Sequence, residues 1–393
     1  MLEHNDAFQF KALPPLGLYI HVPWCVKKCP YCDFNSHTHA DDISENDYID
    51  ALLRDLETEL PQIWGRTISS IFIGGGTPSL FSAKAYERLL SELRARLTLN
   101  AHVEITLEAN PGTAEAQRFA DYRALGINRL SIGVQSFNDD YLSALGRIHS
   151  STEAIKAIEY AQQAGFERIN IDLMYGLPEQ SIPQALADLE TAISIAPQHI
   201  SHYQLTIEPN TLFHHQPPTN LPDNDKSWDM QLACQDKLAA KGFAQYEVSA
   251  YARPGEQCQH NLNYWTFGDY LGIGAGAHAK ITTAQPAAIT RSWKHKQPAD
   301  YMARAATQSQ TGGTTLLSAN DAILEFMMNA LRLKDGFELD LFCQHTGLPD
   351  EHIQIALMRA EAKGWLTNNR RKITPTPTGR QYLNDLVEIF MGQ

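Results

Sequence analysis

Three cysteines near the amino terminus have a spacing that suits an iron–sulfur cluster. Cys25, Cys29 and Cys32 stand in the string Cys-Val-Lys-Lys-Cys-Pro-Tyr-Cys, directly after an apolar run at residues 18–22. Three thiolates hold three irons of a cubane cluster and leave the fourth iron without a protein ligand. The spacing therefore predicts a [4Fe–4S] cluster with one iron open to a small molecule that offers an amine and a carboxylate.

Two other interpretations of these cysteines stay open at this point. Their positions also share one helix face, but Pro30 falls inside the run and would cost roughly 3 kcal/mol in a helix interior, which favours a loop. A structural zinc ion is the second alternative, with His21 or His37 as the fourth ligand beside three cysteines. The polar residues that follow the predicted strands help to decide between an iron–sulfur cluster and zinc.

Composition excludes several functional classes. The 393 residues include 32 basic and 45 acidic ones, a net charge of −13, which disfavours a nucleic-acid partner. No apolar run approaches the length of a membrane span, and the first residues lack the apolar core of a signal peptide. Three of the six cysteines crowd into one short loop, which suits a metal site in a reducing compartment. We therefore predict a cytoplasmic protein.

Residues 18–206 alternate short apolar runs with amphipathic stretches, the pattern of repeated β-α units. Strands are predicted at residues 18–22, 70–73, 103–108, 129–134, 168–173 and 199–206. Helices are predicted between them at residues 45–60, 83–97, 113–125, 152–164 and 182–195. Near-continuous apolar strands favour a parallel sheet that curves as a partial (β/α)6 barrel.

The remaining domain boundaries come from changes in this pattern. Residues 1–16 form an N-terminal extension, and residues 17–281 hold the barrel. Irregular composition with Ala, Thr, Gln, Gly and Pro predicts a linker at residues 282–313. Three helical patterns, a hairpin pattern and a closing helix then predict a small winged-helix-like domain at residues 314–393.

Polar residues follow several of the predicted strands, where the chemistry of a β/α barrel lies. The second strand runs into the sequence Gly-Gly-Gly-Thr-Pro, whose amides can approach a carboxylate or phosphate closely. Glu108, Gln135 and Asp172 close the next three strands. Together with Arg147 they predict one pocket for the amine, ribose and carboxylate of S-adenosylmethionine (SAM), and Tyr31 is suited to stack near its adenine.

These residues carry a resemblance to a known family. The strings Tyr-Ile-His-Val-Pro-Trp-Cys from Tyr19, Gly-Val-Gln-Ser-Phe around Gln135, Leu-Gly-Arg-x-His around Arg147 and Asn-x-Asp-Leu-x-Tyr-Gly-Leu-Pro around Asp172 resemble oxygen-independent coproporphyrinogen oxidase and its radical SAM relatives. The resemblance implies that Cys25, Cys29 and Cys32 hold the cluster. It also implies a SAM site formed by Tyr19, Tyr31, Gly75, Gly76, Thr77, Glu108, Gln135, Arg147 and Asp172.

Two features separate this chain from the oxidases. They carry a further cysteine two positions after the third, where this chain has Phe34. The string His-Asn-Leu-Asn-Tyr-Trp, which contains His260, Tyr264 and Trp265, resembles the signature of the haem chaperone branch, the HemW type. A histidine and two aromatic rings suit an axial ligand and the face of a porphyrin. The alternative is a buried aromatic turn with a hydrogen-bonded histidine, and His278 is a rival axial ligand.

The resemblance implies a haem chaperone that binds haem and a SAM-ligated [4Fe–4S] cluster and delivers haem to acceptor proteins. It implies respiratory, membrane-associated acceptors at the inner face of the membrane, a reductant such as flavodoxin, and a homodimer as one candidate assembly. The alternative function is a radical SAM oxidase that decarboxylates a porphyrinogen. Because Phe34 replaces the fourth cysteine, we do not expect coproporphyrinogen oxidase activity.

Overall fold

The structure is a computed structural model that describes residues 7–38, 44–113, 116–305, 309–369 and 371–392. The strands of the first half have the bounds Leu16–Val22 (β1), Trp24–Cys25 (β2), His37–Thr38 (β3), Thr67–Gly75 (β4), Thr98–Ala109 (β5), Arg129–Gln135 (β6), Arg168–Tyr175 (β7) and His199–Gln204 (β8). The later strands have the bounds Ala244–Gln245 (β9), Ala250–Ala252 (β10), Asp269–Ile273 (β11), His278–Ala284 (β12), Ala287–Lys294 (β13), Thr311–Leu316 (β14), Phe337–Glu338 (β15), Leu366–Asn369 (β16) and Lys372–Pro375 (β17).

The helices alternate with these strands in the first half and dominate the last quarter. The first eight have the bounds Glu45–Glu59 (α1), Ala83–Arg96 (α2), Ala116–Ala124 (α3), Asp139–Ala144 (α4), Ser151–Gln163 (α5), Ile182–Ser194 (α6), Leu212–His215 (α7) and Asn224–Ala240 (α8). The others have the bounds Gln259–Trp265 (α9), Pro298–Arg304 (α10), Ala319–Ala330 (α11), Leu339–Thr346 (α12), Glu351–Ala362 (α13), Pro377–Gln381 (α14) and Leu383–Glu388 (α15). Within the described ranges, no helix is long and apolar enough to cross a membrane.

Twelve strands form one mixed sheet in the order β14-β13-β12-β11-β1-β4-β5-β6-β7-β8-β10-β9. β1 and β4 to β8 pair in parallel, which confirms the six predicted β-α units. β11 adds to β1 in parallel, and β10 adds to β8 in the antiparallel direction. Among the described residues the outermost strands β14 and β9 do not pair with each other. The sheet is therefore an open, partial barrel, as predicted.

Residues 282–313, for which we predicted a linker, instead extend the sheet. β12 and β13 pair along their whole length, and β14 pairs with β13. At the edge of a sheet one face meets solvent, so small and polar residues replace the apolar run that the prediction required. Lys294 of β13 is buried and pairs with Asp55 and Glu59 of α1 at 2.6 and 2.5 Å. These ion pairs tie the added strands to the first helix.

The C-terminal unit has the predicted helices and hairpin, with β15, β17 and β16 as a small sheet. Its core contains Phe326, which meets Phe337 and Phe342 edge to face. The N-terminal segment reaches this unit, because the Gln9 amide donates to the carbonyl of Gly347 at 2.8 Å. α11 packs on α9, which carries the His-Asn-Leu-Asn-Tyr-Trp string. The C-terminal unit therefore supports α9 from outside the barrel.

Candidate functional site

One cavity of about 670 Å³ lies on the concave side of the sheet. It runs from the cysteine loop after β1 to α9. Apart from the rival haem ligand His278, the residues predicted for the cluster, SAM and haem sites all line it, namely Tyr19, Cys25, Cys29, Tyr31, Cys32, Gly75, Gly76, Thr77, Glu108, Gln135, Arg147, Asp172, His260, Tyr264 and Trp265. The structure thus brings together residues that are up to 246 positions apart in the sequence.

Each of the three cysteine sulfurs has a polar neighbour. The Thr77 hydroxyl donates to Sγ of Cys25 at 3.5 Å, and Nη1 of Arg147 donates to Sγ of Cys29 at 3.5 Å. The Ser36 hydroxyl lies 3.8 Å from Sγ of Cys32. Donors of this kind stabilise anionic sulfur and tune the potential of an iron–sulfur cluster. The donor set therefore fits the cluster that the spacing predicts.

The histidines considered for zinc are engaged elsewhere. Nε2 of His21 is 2.8 Å from the carbonyl oxygen of Asn35, and Nδ1 is 3.0 Å from the hydroxyl of Tyr19. His37 lies 3.2 Å from Oδ1 of Asn35 through Nε2. In the described ranges no three His, Cys, Asp or Glu side chains are arranged to hold a single metal ion. Neither histidine is placed as a fourth ligand.

The glycine turn after β4 packs directly on the strand that leads into the cysteine loop. Gly75 has φ of +120°, and a Cβ there would lie 2.7 Å from the His21 ring. A Cβ on Gly76 would lie 2.4 Å from the carbonyl oxygen of Trp24. Only glycine fits at either position. The close approach leaves the Gly75 amide free to donate to Oε2 of Glu108 at 3.0 Å.

Two half-buried carboxylates face the cavity beside this turn. Burial, followed by the nearby Asp172 carboxylate, raises the pKa of Glu108 to about 8. Asp172 accepts hydrogen bonds from Ser131 at 3.1 Å and Asn170 at 2.8 Å, and burial raises its pKa as well. In the described part of the chain neither carboxylate forms an ion pair. The arrangement suits a ligand that brings its own positive charge.

Arg147 links the cysteine loop to the strand ends. Its Nη2 donates to Oδ1 of Asn110 at 2.6 Å and to the carbonyl of Gly133 at 2.7 Å. Asn110 in turn donates to the Thr77 hydroxyl at 2.7 Å. Gln135 has a positive φ of 71°, a backbone conformation that is uncommon outside glycine and frequent at ligand sites. Asn110 belongs to this network although we did not predict it.

Further polar residues of the cavity were missed. Thr106, Ser131, Asn170, His199 and Ser201 all line it from the inner face of β5 to β8. They alternate with apolar residues that pack against the helices, because successive side chains of a strand point to opposite faces. A polar residue at every second position of an otherwise apolar strand was the signal that would have found them.

His260 is buried at the other end of the cavity and already has partners for its ring. Nδ1 is 2.9 Å from the Ser70 hydroxyl, and Nε2 is 3.0 Å from the Tyr264 hydroxyl. Its amide donates to Oε1 of Glu104 at 3.1 Å, and its ring packs over Gly17. Burial lowers the pKa of His260 to about 3, so the ring is neutral. The alternative to a haem ligand is a buried, hydrogen-bonded histidine. His260 has those hydrogen bonds and also lines the cavity.

Tyr264 and Trp265 separate this cavity from a second one of about 230 Å³. The Arg332 guanidinium lies 4.4 Å from the Trp265 ring centre, and Nε1 of Trp265 is buried without a hydrogen-bond partner in the described ranges. His278, the rival axial ligand, begins β12 and is exposed. It does not line the cavity.

Comparisons with known proteins agree with this geometry. Residues 19–191 match the radical SAM superfamily, and residues 317–382 match the HemN C-terminal domain. The chain is 50% identical over 381 residues to the heme chaperone HemW of Escherichia coli K12, covering 97% of this chain and 99% of that one. It is 48% identical over 385 residues to the heme chaperone HemW of Haemophilus influenzae, with coverage of 97% and 99%.

A solved structure shows the same fold. The coproporphyrinogen III oxidase HemN of Escherichia coli, a radical SAM enzyme, superposes with a TM-score of 0.81 over 97% of this chain and 91% of that one, at 24% identity. Membership of the radical SAM superfamily implies a [4Fe–4S] cluster and SAM. The full-length similarity at about half identity decides the narrower assignment. This chain belongs to the HemW family of radical SAM proteins.

Proposed function

We propose that this chain is a haem chaperone that binds haem, carries a [4Fe–4S] cluster with SAM at its open iron, and delivers haem to acceptor proteins. The observation that supports this most is that one cavity is shared by both sets of residues, since the cysteine loop lines one end and α9 lines the other. The relatives named heme chaperone HemW support the same function. A ligand in this cavity would therefore lie between the cysteine loop and α9.

At the cysteine end, Cys25, Cys29 and Cys32 would hold the cluster, which supplies an iron with an open position when bound. Gly75 and Gly76 line the cavity beside the cysteine loop and would lie against the methionine end of SAM. The Glu108 carboxyl would release its proton when SAM binds, and the resulting carboxylate would accept a hydrogen bond from the SAM amine. The remaining proposed contacts come from Tyr19, Tyr31, Thr77, Gln135, Arg147 and Asp172.

At the α9 end, Tyr264 and Trp265 would pack against the porphyrin face, and His260 would approach the iron. Both ring nitrogens of His260 are hydrogen-bonded without the ligand. Ligation through Nε2 therefore requires the Tyr264 hydroxyl to give up its bond. A neutral imidazole needs no further proton loss to act as a ligand.

We also propose the setting in which the chaperone works. Cluster thiolates require a reducing compartment such as the cytoplasm. Delivery to respiratory, membrane-associated acceptors would occur at the inner face of the membrane, and a reductant such as flavodoxin would supply electrons to the cluster. A homodimer is the assembly we would test first.

Phe34 argues against the oxidase alternative. It lines the cavity mouth and is 59% exposed, at the position where the oxidases carry a further cysteine. The radical SAM machinery is present, but we do not propose decarboxylation of coproporphyrinogen for this chain.

Haem transfer tests the proposed function. The cluster is reconstituted anaerobically, the protein is loaded with haem, and a haem-free cytochrome b is added while the acceptor's absorption is followed. We expect transfer that exceeds the rate of passive haem loss to apomyoglobin. Transfer no faster than passive loss would contradict delivery, whereas a protein that takes up no haem would contradict haem binding itself.

A further inference from the structure

Arg129 is a buried cation in the wall of the cavity. It begins β6, is 1% exposed and lines the deep part of the cavity. Buried arginines are almost always paired with an anion, because an isolated charge in a protein interior is costly. In the described part of the chain the guanidinium forms no ion pair. Its hydrogen bond there runs from Nη1 to the carbonyl of Glu256 at a long 3.4 Å.

The acids nearest to Arg129 are engaged with other partners. Arg168 pairs with Glu104 at 3.1 Å and with Glu256 at 3.1 Å. Asp172 accepts hydrogen bonds from two strand side chains and lies outside ion-pair distance of Arg129. The Arg129 charge opposes part of the rise in the pKa of Asp172 from beyond ion-pair distance. Among the described residues, no carboxylate pairs with the guanidinium directly.

A second unsatisfied group lies beside Arg129. Thr106 pairs in register with Arg129 across β5 and β6, so the two side chains leave the sheet on the same face. Thr106 is 0% exposed and lines the cavity, and its hydroxyl has no hydrogen-bond partner in the described ranges. A guanidinium without an ion pair and a hydroxyl without a hydrogen-bond partner in the described ranges, side by side on one cavity wall, can both donate to an anion.

The shape of the guanidinium and its distance from the predicted SAM site indicate which anion would bind. The planar fork of an arginine matches a carboxylate with two hydrogen bonds. The SAM carboxylate is expected near the cysteine loop, at the level of Gln135. Arg129 and Gln135 stand at opposite ends of β6, which at about 3.3 Å per residue separates them by about 20 Å. A carboxylate on the ligand beside α9 is within closer reach.

We propose that Arg129, assisted by Thr106, binds a propionate carboxylate of the porphyrin, an inference that rests on the haem-binding function proposed above. The contact would fix the rotation of the macrocycle about the iron, which aromatic packing alone leaves free. It also explains why an unpaired cation is kept in the interior at a cost in stability, since binding sites commonly carry such costs.

The test compares haem with haem dimethyl ester, in which both propionates have lost their charge. Titrations use wild type, Arg129→Met and Arg129→Lys. Wild type should bind haem roughly tenfold to a hundredfold more tightly than the ester, the range of one charge-assisted hydrogen-bonded contact. Arg129→Met should bind both ligands with the affinity that wild type has for the ester. Arg129→Lys should keep part of the preference because it keeps the charge.

Thermal unfolding without ligand separates binding from folding. Arg129→Met should be as stable as wild type or more stable, because the variant removes an unpaired buried charge. Arg66→Gln is the matched control, since Arg66 is a mostly buried arginine paired with Asp269 at 2.7 Å and lies outside the cavity lining. It should lower the midpoint of unfolding and leave the preference for haem over ester intact.

The outcomes are distinguishable. Equal affinity of wild type for haem and ester would overturn the carboxylate site while haem binding stands. No binding of either ligand would remove the proposed function and this site together. If Arg129→Met weakened SAM binding, seen in the EPR spectrum of the cluster, and kept the preference for haem, the carboxylate would belong to SAM. If it lowered stability like Arg66→Gln and affected both ligands equally, Arg129 would be structural.

Discussion

The two ends of the cavity differ in whether the group that would contact the ligand must first give up a partner. At the cysteine end, Glu108 and Asp172 line the cavity and form no ion pair in the described ranges, and Gly75 and Gly76 bring the backbone to the cavity wall. At the α9 end, His260 has both ring nitrogens hydrogen-bonded to neighbouring side chains.

This difference indicates two kinds of binding. The cysteine end is shaped in advance for a charged ligand, whereas ligation by His260 requires the α9 end to rearrange. Binding at the first end should resemble capture by a preformed site, and binding at the second should carry the cost of a broken hydrogen bond. The predictions below test this contrast from the largest expected effect to the smallest.

Removal of one cysteine should abolish the cluster. Cys25→Ala leaves two thiolates, which cannot hold a cubane with one open iron, so anaerobic reconstitution should fall from about four irons and four sulfides per chain to background. Cys234→Ala, which removes a buried thiol outside the cavity, is the control and should reconstitute fully. Stoichiometric zinc in the anaerobic protein, with no capacity to form a cluster, would favour the zinc interpretation.

SAM affinity should rise with pH up to about 8. The pKa of Glu108 is raised to about 8, so the carboxyl is protonated at neutral pH. It must ionise before it can accept a hydrogen bond from the SAM amine. Affinity, read from the EPR spectrum of the cluster, should gain at most about tenfold per pH unit below that value. Glu108→Gln should weaken binding roughly tenfold to a hundredfold and flatten the profile.

Glu153→Gln, at the exposed start of α5, is the control for this titration and should keep the parent profile. The same pKa has a consequence without SAM. A carboxyl whose folded pKa lies above its unfolded value costs stability once it ionises, so the free protein should lose stability between pH 4.5 and about 8. Glu108→Gln should lessen that loss. A profile shared by parent and variant would separate Glu108 from the SAM site.

His260 and Trp265 should affect haem in different ways. His260→Ala removes the proposed axial ligand and should shift the Soret band, while Trp265→Ala removes apolar contact and should mainly weaken affinity. His278→Ala is the control, because His278 lies outside the cavity lining. A Soret shift with His278→Ala and none with His260→Ala would mean that His278, and not His260, is the axial ligand.

The smallest expected effect is a gain in haem affinity. Tyr264→Phe removes the hydroxyl that holds Nε2 of His260, so ligation no longer breaks a hydrogen bond. Haem affinity should rise by about fivefold, which corresponds to about 1 kcal/mol for one neutral hydrogen bond. Because phenylalanine keeps the ring, the packing contribution stays constant. A loss of affinity would mean that the hydroxyl contacts the ligand directly.

The sequence predicted the parallel part of the fold well for a clear reason. Its strands are buried on both faces and appear as apolar runs between amphipathic helices. The edge strands β13 and β14 were missed because Thr, Ala and Arg on a solvent-facing edge leave no such run. One strand also proved longer than predicted, since β5 begins at Thr98 with mostly exposed residues.

The candidate site was predictable where motifs recur and unpredictable where contacts are long-range. Cys25 and Gly75 follow strands and carry visible spacing. The bond between His260 and Ser70 joins residues 190 positions apart, and no local pattern indicates it. Arg129 was hidden for another reason. A charged residue at the start of an apolar strand normally indicates an exposed strand end, and only the packed structure shows that this one is buried.

The central claim is that this chain binds haem on a radical SAM scaffold and does not act as a coproporphyrinogen oxidase. Two assays on one sample test it most directly. The anaerobically reconstituted protein is titrated with haem and then assayed with SAM, a reductant and coproporphyrinogen III. We expect saturable haem binding and no protoporphyrinogen above background. Turnover of coproporphyrinogen III together with absent haem binding would contradict the account and restore the oxidase alternative.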